Sequence, residues 1–311
     1  MKKILITGVS GFVGAALASH LEQTNSFALL RTTRLETGTN KLAIDFSDDF
    51  NVENELDSVE AIIHCAARVH LMEDDANNPL EAYRQVNTLG TLRLAQQAAD
   101  AGVKRFIFLS SIKVNGESTQ PEYLFTPNIL SVPTDPYALS KYEAEVGLLK
   151  LAEDTGMDVV IIRPPLVYGQ GVKANFASMM NVVRKGIPLP LGAINNARSL
   201  VYIDNLIDLI VTCISHPKAA NQVFMVSDNQ DVSTSELLRK IAKAMGKNSR
   251  LLPIPQSLLL LATRLLGKQA IGQRLCSSLQ VDISKTKSML NWQPPYTIDE
   301  ALTITVKEKL E

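Results

Sequence analysis

The chain has 311 residues, of which 46% are hydrophobic and 20% charged, with a formal net charge of -1 and a pI near 6.5. These values suit one large globular domain, or a large and a small one, and they exclude a whole-chain nucleic-acid footprint or a polybasic membrane patch. Cys65, Cys213 and Cys276 are odd in number and widely spaced, which points to reduced thiols in a cytoplasmic protein, and the apolar run after Met1-Lys2-Lys3 is too short for a signal peptide.

Lys3 to Thr7 is an apolar β-rich run, followed by Gly8-Val9-Ser10-Gly11-Phe12-Val13-Gly14 and an Ala/Leu-rich stretch to Glu22. Strand, glycine turn and helix in this order suit a dinucleotide diphosphate. The turn brings bare backbone N-H groups to the phosphates, and the helix N-terminus attracts them. A second strand, Phe27 to Leu30, ends in Arg31-Thr32-Thr33-Arg34, about 20 residues on, where an NAD enzyme keeps an acid for its ribose. Two arginines there suit a 2'-phosphate, so NADP(H) is expected ahead of NAD(H), with arginine stacking on adenine or a solvated basic turn as the alternatives. Ala43-Ile44-Asp45-Phe46 reads as a third strand that ends beside the adenine amino group.

Ala61 to Ala67 is a fourth strand running into Ala66 and Ala67, small enough for a cofactor to lie against backbone. His64, Cys65 and His70 do not make a metal set, because the first two point to opposite faces of a strand and no second cluster follows. Leu80 to Ala101 has helical periodicity, carries Asn87 and stops at Gly102. Phe106 to Ser111 is a fifth strand ending in hydroxyls. Pro136-Tyr137-Ala-Leu-Ser-Lys141 follows; on a helix, Tyr137 and Lys141 share a face, and the ammonium is expected to lower the phenol pKa from about 10 towards neutrality.

In this order, the glycine turn, Ser110-Ser111 and the Tyr137/Lys141 pair resemble the extended short-chain dehydrogenase/reductases, the nucleotide-sugar epimerases, dehydratases and reductases. The resemblance extends to Val86-Asn87-Thr88-Leu89-Gly90-Thr91, Ile162-Arg163-Pro164-Pro165-Leu166-Val167-Tyr168-Gly169, Arg198 to Asp204, and Leu290-Asn291-Trp292-Gln293-Pro294, and so to nearly the whole chain. It implies an α/β, Rossmann-type doubly wound parallel sheet (1-168 plus about 197-226) with a small C-terminal α/β substrate lobe (about 169-196 plus 227-311). It implies Tyr137 as acid/base, Lys141 on the nicotinamide ribose and Ser111 as partner of the reacting sugar oxygen, with Asn87, Pro164 and Leu166 near the cofactor. By the same resemblance Asn175, Phe176 and Arg198 hold a uracil ring and a diphosphate, although Asn175 reads equally well as a turn or cap. Arg274 is a further phosphate candidate.

Leu251 to Leu266 is the most apolar late segment, too short and too interrupted for a membrane span. It reads as a buried or pocket-lining helix, with peripheral membrane contact the lesser alternative. Ser233 and Glu236 form a capping box at the head of a helix to Met245. Relatives that dehydrate carry an Asp-Glu pair where Ile112-Lys113 stands, and epimerases read Ser-Ala-Thr-Val-Tyr-Gly against Ser111-Ile112-Lys113-Val114-Asn115-Gly116, with asparagine in place of Leu166. The expectation is therefore C4 reduction of a UDP-4-keto-N-acetylhexosamine. A UDP-sugar 4-epimerase is the closest alternative and a non-catalytic regulator a remote one. Lys113 is expected at the substrate. A homodimer packed through Leu92, Leu148 and Leu149 is the expected assembly.

Overall fold

The computed structural model describes residues 1–34, 37–69, 78–120 and 123–307; His70 lies outside them. Alternate residues of the first strand face opposite ways, and both ways are apolar. In β1 (Lys3–Thr7), Ile4 and Ile6 enter one core while Leu5 enters a second. The same alternation recurs in β4 (Val59–His64), β5 (Arg105–Leu109) and β6 (Asp158–Arg163), as expected of strands covered on both faces.

With β2 (Ala28–Thr33), β3 (Lys41–Ala43) and β9 (Gln222–Met225), these strands form, among the described residues, a seven-stranded sheet of order β3-β2-β1-β4-β5-β6-β9, parallel throughout. Helix α1 (Phe12–Thr24) covers one face. On the other lie α2 (Pro79–Tyr83), a π-helical segment (Arg84–Gly90), α3 (Thr91–Asp100) and α4 (Pro136–Thr155). Chain direction along the sheet reverses between β1 and β4, and the crevice beyond their C-terminal ends is where such sheets take ligands.

A two-stranded sheet of β7 (Leu166–Tyr168) and β8 (Leu200–Tyr202) stands apart from the large one, so the segment from Leu200 opens as a strand before α6 (Ile203–Ser215). Buried Asp228 ties the pair together, accepting from the Tyr168 hydroxyl (2.7 Å) and the Tyr202 amide (2.8 Å). The remaining helices are α5 (Ala174–Lys185), α7 (Thr234–Ala244), α8 (Gln256–Leu265), α9 (Gln269–Cys276), α10 (Ser284–Leu290) and α11 (Ile298–Lys307). The expected cap at α7 is present: Ser233 Oγ accepts from the Glu236 amide at 3.0 Å.

Three expectations change. The second strand continues through Thr33, which puts Arg31 inside it and not at its end. Leu148 is fully buried inside its own chain, so it is not available to a dimer partner. Helix α8 is neither buried nor pocket-lining: only Leu259 in it is buried, and Leu258, Leu261 and Leu265 face solvent.

Candidate active site

The turn after β1 has to be glycine for reasons of contact. Gly8 has φ +72°, and a Cβ there would lie 2.6 Å from the Ala66 amide; a Cβ on Gly14 would lie 2.2 Å from the Gly8 carbonyl oxygen. Gly11 caps α1 without a side chain, and no acid occupies the helix's first turn. The amides at this helix end therefore face the crevice bare, as a diphosphate requires. Phe12 and Val13 pack partly into the core behind the turn. Ala66 is fixed by its amide, which donates to Thr7 Oγ1 at 3.0 Å. A nicotinamide dinucleotide fits this cradle.

At the far end of β2 the two arginines part company. Arg31 pairs with Glu22 of α1. Arg34 is exposed beyond the strand, near enough to Asp45 to help hold its carboxyl below the usual range, after the hydrogen bonds from the Ser47 hydroxyl (2.6 Å) and amide (2.9 Å). Asp45 is exposed just past β3, whereas the Phe46 side chain is buried, edge-on to Phe50 and His64. Phe46 is a core residue, not a cofactor contact.

Tyr137 and Lys141 stand on one face of α4, whose first turn is capped by Asp135 accepting from the Ala138 amide at 2.9 Å. Lys141 is buried, donates to the Leu109 carbonyl at 3.0 Å and lies 4.4 Å above the Phe108 ring. Loss of hydration pulls its pKa down to about 8, against the attraction of Cys65 and Glu145. Half-buried Tyr137 meets Tyr83 edge-on at 5.8 Å and hydrogen-bonds Ser111; desolvation pushes its pKa up to about 12, with Ser111 lowering it and Asp135 and Tyr83 raising it. The expected lowering by Lys141 is thus not realised, because burial governs the phenol. Beside them, Cys65 is pushed up to about 12 by burial. Buried His64 is held between Thr7 Oγ1 (2.8 Å) and Thr91 Oγ1 (3.0 Å), with its pKa depressed by desolvation and then by Lys141. His64 is therefore a packed residue.

Ser111 opens a short turn, accepting from the Lys113 amide at 3.2 Å, and the Ile112 amide donates to the Pro164 carbonyl at 3.0 Å. Lys113 reaches Glu117 at 3.0 Å and Asp135 at 3.6 Å. Asn87 is fully buried on the π-helical segment, where its amide accepts from the Arg68 N-H (2.8 Å) and donates to the Arg68 carbonyl (3.1 Å) and Ser140 Oγ (3.0 Å). Ser140 in turn donates to the Tyr137 carbonyl at 2.7 Å, which ties Asn87 to the helix that carries the tyrosine. Sequence analysis missed one group: Glu145, buried behind Ser111, accepts from Ser110 Oγ (2.5 Å) and forms a two-pronged pair with Arg163 (2.5 and 2.9 Å). Its signal was a charged residue eight positions after Tyr137 on a helix with few exposed faces, together with an arginine ending an all-apolar strand.

The substrate side is divided. Phe176 is buried and stacked 5.1 Å from Tyr168, which removes it from any uracil ring, while Asn175 is exposed in the first turn of α5. Arg198 and Arg274 come together: Arg198 Nη1 donates to the Arg274 carbonyl and to the Ser277 carbonyl, both at 3.0 Å, and the neighbouring Arg274 adds to the desolvation that lowers its pKa. The two positive charges are thus near enough to repel one another, with one Arg198 nitrogen already held by backbone carbonyls. Leu166 is exposed on β7.

Residues 4–227 match the NAD dependent epimerase/dehydratase family. The chain belongs to that family. It is 50% identical over 315 residues to a UDP-glucose 4-epimerase of Vibrio cholerae, covering 100% of this chain and 96% of that one. An Escherichia coli O157:H7 relative, N-acetyl-alpha-D-glucosaminyl-diphospho-ditrans,octacis-undecaprenol 4-epimerase, is 24% identical, with 98% and 94% covered. The solved UDP-glucuronic acid 4-epimerase of Bacillus cereus in complex with NAD has the same fold, with a TM-score of 0.76 at 18% identity and coverage of 97% and 95%. In the terms of the family, the chain is a short-chain dehydrogenase/reductase enzyme served by a nicotinamide cofactor.

Proposed function

We propose that this chain is a UDP-sugar 4-epimerase acting on UDP-glucose/UDP-galactose or on the corresponding N-acetylhexosamines. The observation that carries this is the 50% identity over the entire chain to a UDP-glucose 4-epimerase, joined to a complete Ser111, Tyr137 and Lys141 set on a glycine cradle. It displaces the C4 reductase expected from the departures at Lys113, Asn115 and Leu166: a relative this similar supports epimerisation, and in this fold Lys113 is engaged with Glu117 and Asp135.

When bound, the nicotinamide supplies a hydride acceptor and donor for C4 and a positive charge beside the phenol. In its phenolate form, which the neighbouring Lys141 ammonium favours against the burial that raises its pKa, Tyr137 takes the proton from the C4 hydroxyl as the carbonyl forms and returns it after the keto sugar has turned, so no free alkoxide accumulates. Ser111 bridges the same oxygen. Lys141 is the resident cation at this end, and the Asn87–Ser140 chain fixes the helix that presents the phenol. Arg198 and Arg274 hold the diphosphate while the sugar rotates.

We further infer NAD(H) as the cofactor. With Arg31 engaged by Glu22, exposed Arg34 is the one member of the arginine pair left to face a 2'-phosphate. A homodimer through α4 and the π-helical segment that leads into α3 fits the exposed Leu89 and Val146. A second substrate class, sugars on a diphospho-lipid as in the E. coli relative's name, is favoured by one observation: Arg274 lies on α9, next to the exposed leucines of α8.

The test is to incubate the protein as purified, without added cofactor, with UDP-glucose, UDP-N-acetylglucosamine and the undecaprenyl-diphosphate-linked sugar, and to separate the epimers. Interconversion together with acid-released NAD supports the proposal. NADPH consumption by a UDP-4-keto-6-deoxy-N-acetylhexosamine, with no interconversion of any pair, overturns it.

A further inference from the structure

The hairpin of α8 and α9 exposes what a solvent-facing hairpin normally hides. The two helices cross tightly, since a Cβ on Gly272 would lie 2.1 Å from Thr263 Oγ1. Helix α8 touches the body through Leu259 and partly buried Leu260, which join Leu191, Ile194, Leu238 and Cys276. Its outer face runs Leu258, Leu261, Ala262 and Leu265, the spacing of a single helical stripe, and Leu266 extends it. Leu258 is 55% exposed, Leu261 53%, Leu265 79% and Leu266 72%, and Ile271 on α9 adds another 51% exposed side chain. Contiguous exposed leucines of this kind mark a contact surface, not ordinary scatter.

Charge identifies the kind of partner. The whole-chain balance of -1 conceals a strong local bias: residues 237–281 contain eight Lys or Arg and no Asp or Glu. Some of these cations are held by the body, as Lys240 is by Asp299 at 3.0 Å and Lys247 by the Arg184 carbonyl at 2.6 Å. Arg250, Arg264 and Lys268 are exposed around the apolar stripe. We propose that the α8–α9 hairpin docks this enzyme on an anionic phospholipid bilayer, with the leucines entering the headgroup boundary and Arg264 and Lys268 meeting lipid phosphates. At ten residues α8 is about 15 Å long, so it lies in the interface and does not cross it. Among the described residues no helix is long and apolar enough to cross a membrane. The proposal does not depend on which sugar the site turns over.

The experiment is co-sedimentation of the full chain with vesicles of equal parts phosphatidylcholine and phosphatidylglycerol, against phosphatidylcholine alone, at low and high salt. Binding to the anionic vesicles, weakened by salt, is expected. Leu258→Gln/Leu261→Gln/Leu265→Gln and, separately, Arg264→Glu/Lys268→Glu should each lower partitioning by about tenfold or more, with melting temperature and turnover of a soluble UDP-sugar unchanged. Three results would overturn the proposal: no sedimentation of the parent with anionic vesicles at low salt, sedimentation of either variant equal to that of the parent, or conversion of a parent dimer to monomer by the leucine substitutions, which would make the stripe a contact between copies.

Discussion

Replacing Lys141 by Met should make the protein more stable while removing its activity. The ammonium is fully buried, and its drop from an ordinary 10.5 to about 8 corresponds to about 3 kcal/mol of lost hydration at 1.36 kcal/mol per pH unit. Below about pH 8 both the folded and the unfolded chain carry this proton, so the full cost falls on the fold. Between about 8 and 10.5 the folded chain releases it first, and above 10.5 the cost is gone. Methionine fills similar space but leaves the Leu109 carbonyl without its partner, a loss of about 1 kcal/mol. The net gain at pH 7 is then about 2 kcal/mol, or a melting temperature higher by about 4 °C for a chain of this size. Urea unfolding of parent and variant at pH 7, 8.5 and 10.5 measures it. The advantage should shrink with rising pH and reverse by pH 10.5. A variant less stable than the parent at pH 7, or a difference that does not change with pH, would refute the burial argument.

Tyr137→Phe should lower turnover roughly a thousandfold while bound dinucleotide stays at the parent level; activity within a few-fold of the parent would remove the phenol from the proton path. Glu145→Ala strands the Arg163 guanidinium in the interior and should cost about 3–5 kcal/mol in urea unfolding, most of it recovered in Glu145→Met/Arg163→Met. If the double variant is no more stable than the single one, the pair contributes more than mutual compensation. Gly14→Ala forces a methyl against the Gly8 carbonyl, and the absorbance ratio at the nucleotide and protein maxima should show protein purified without dinucleotide; unchanged nucleotide content would show that the turn can widen.

The parts of the site that lie in one short segment were legible in the sequence. Gly8 and Gly14 are fixed by backbone contacts that no other residue satisfies, and Tyr137 with Lys141 needs only a helix to share a face. What depended on tertiary register was not legible. Arg31 seemed to sit at the ribose because the strand was ended at Leu30; three more residues of pairing with β3 turn it towards Glu22. Phe176 and Leu148 are apolar residues whose destination, core or surface, is decided by elements far away in the chain. The phenol pKa was misjudged for the same reason, since helical spacing reveals the neighbouring ammonium but not the loss of water around both groups. Arg198 and Arg274, 76 positions apart, were each legible from type and context, and the fold brings them together.

The segment after Ser111 is laced to the segment that carries Arg274 towards α10. The Thr119 amide donates to the Ser278 carbonyl at 2.9 Å, the Phe125 amide to the Gln280 carbonyl at 2.8 Å, and the Asp282 amide back to the Phe125 carbonyl at 2.9 Å. Asn115 fastens the same loop, donating to the Thr126 carbonyl at 2.8 Å while accepting from Arg163. These bonds pin Asn115, Thr119 and Phe125 to a segment far along the chain, so the position of the turn that opens at Ser111 depends on the register of residues 278–282. A substitution at residues 278–282 that breaks this pairing would therefore be felt at Ser111, more than 160 positions away in the chain, with no change in any residue of the turn itself.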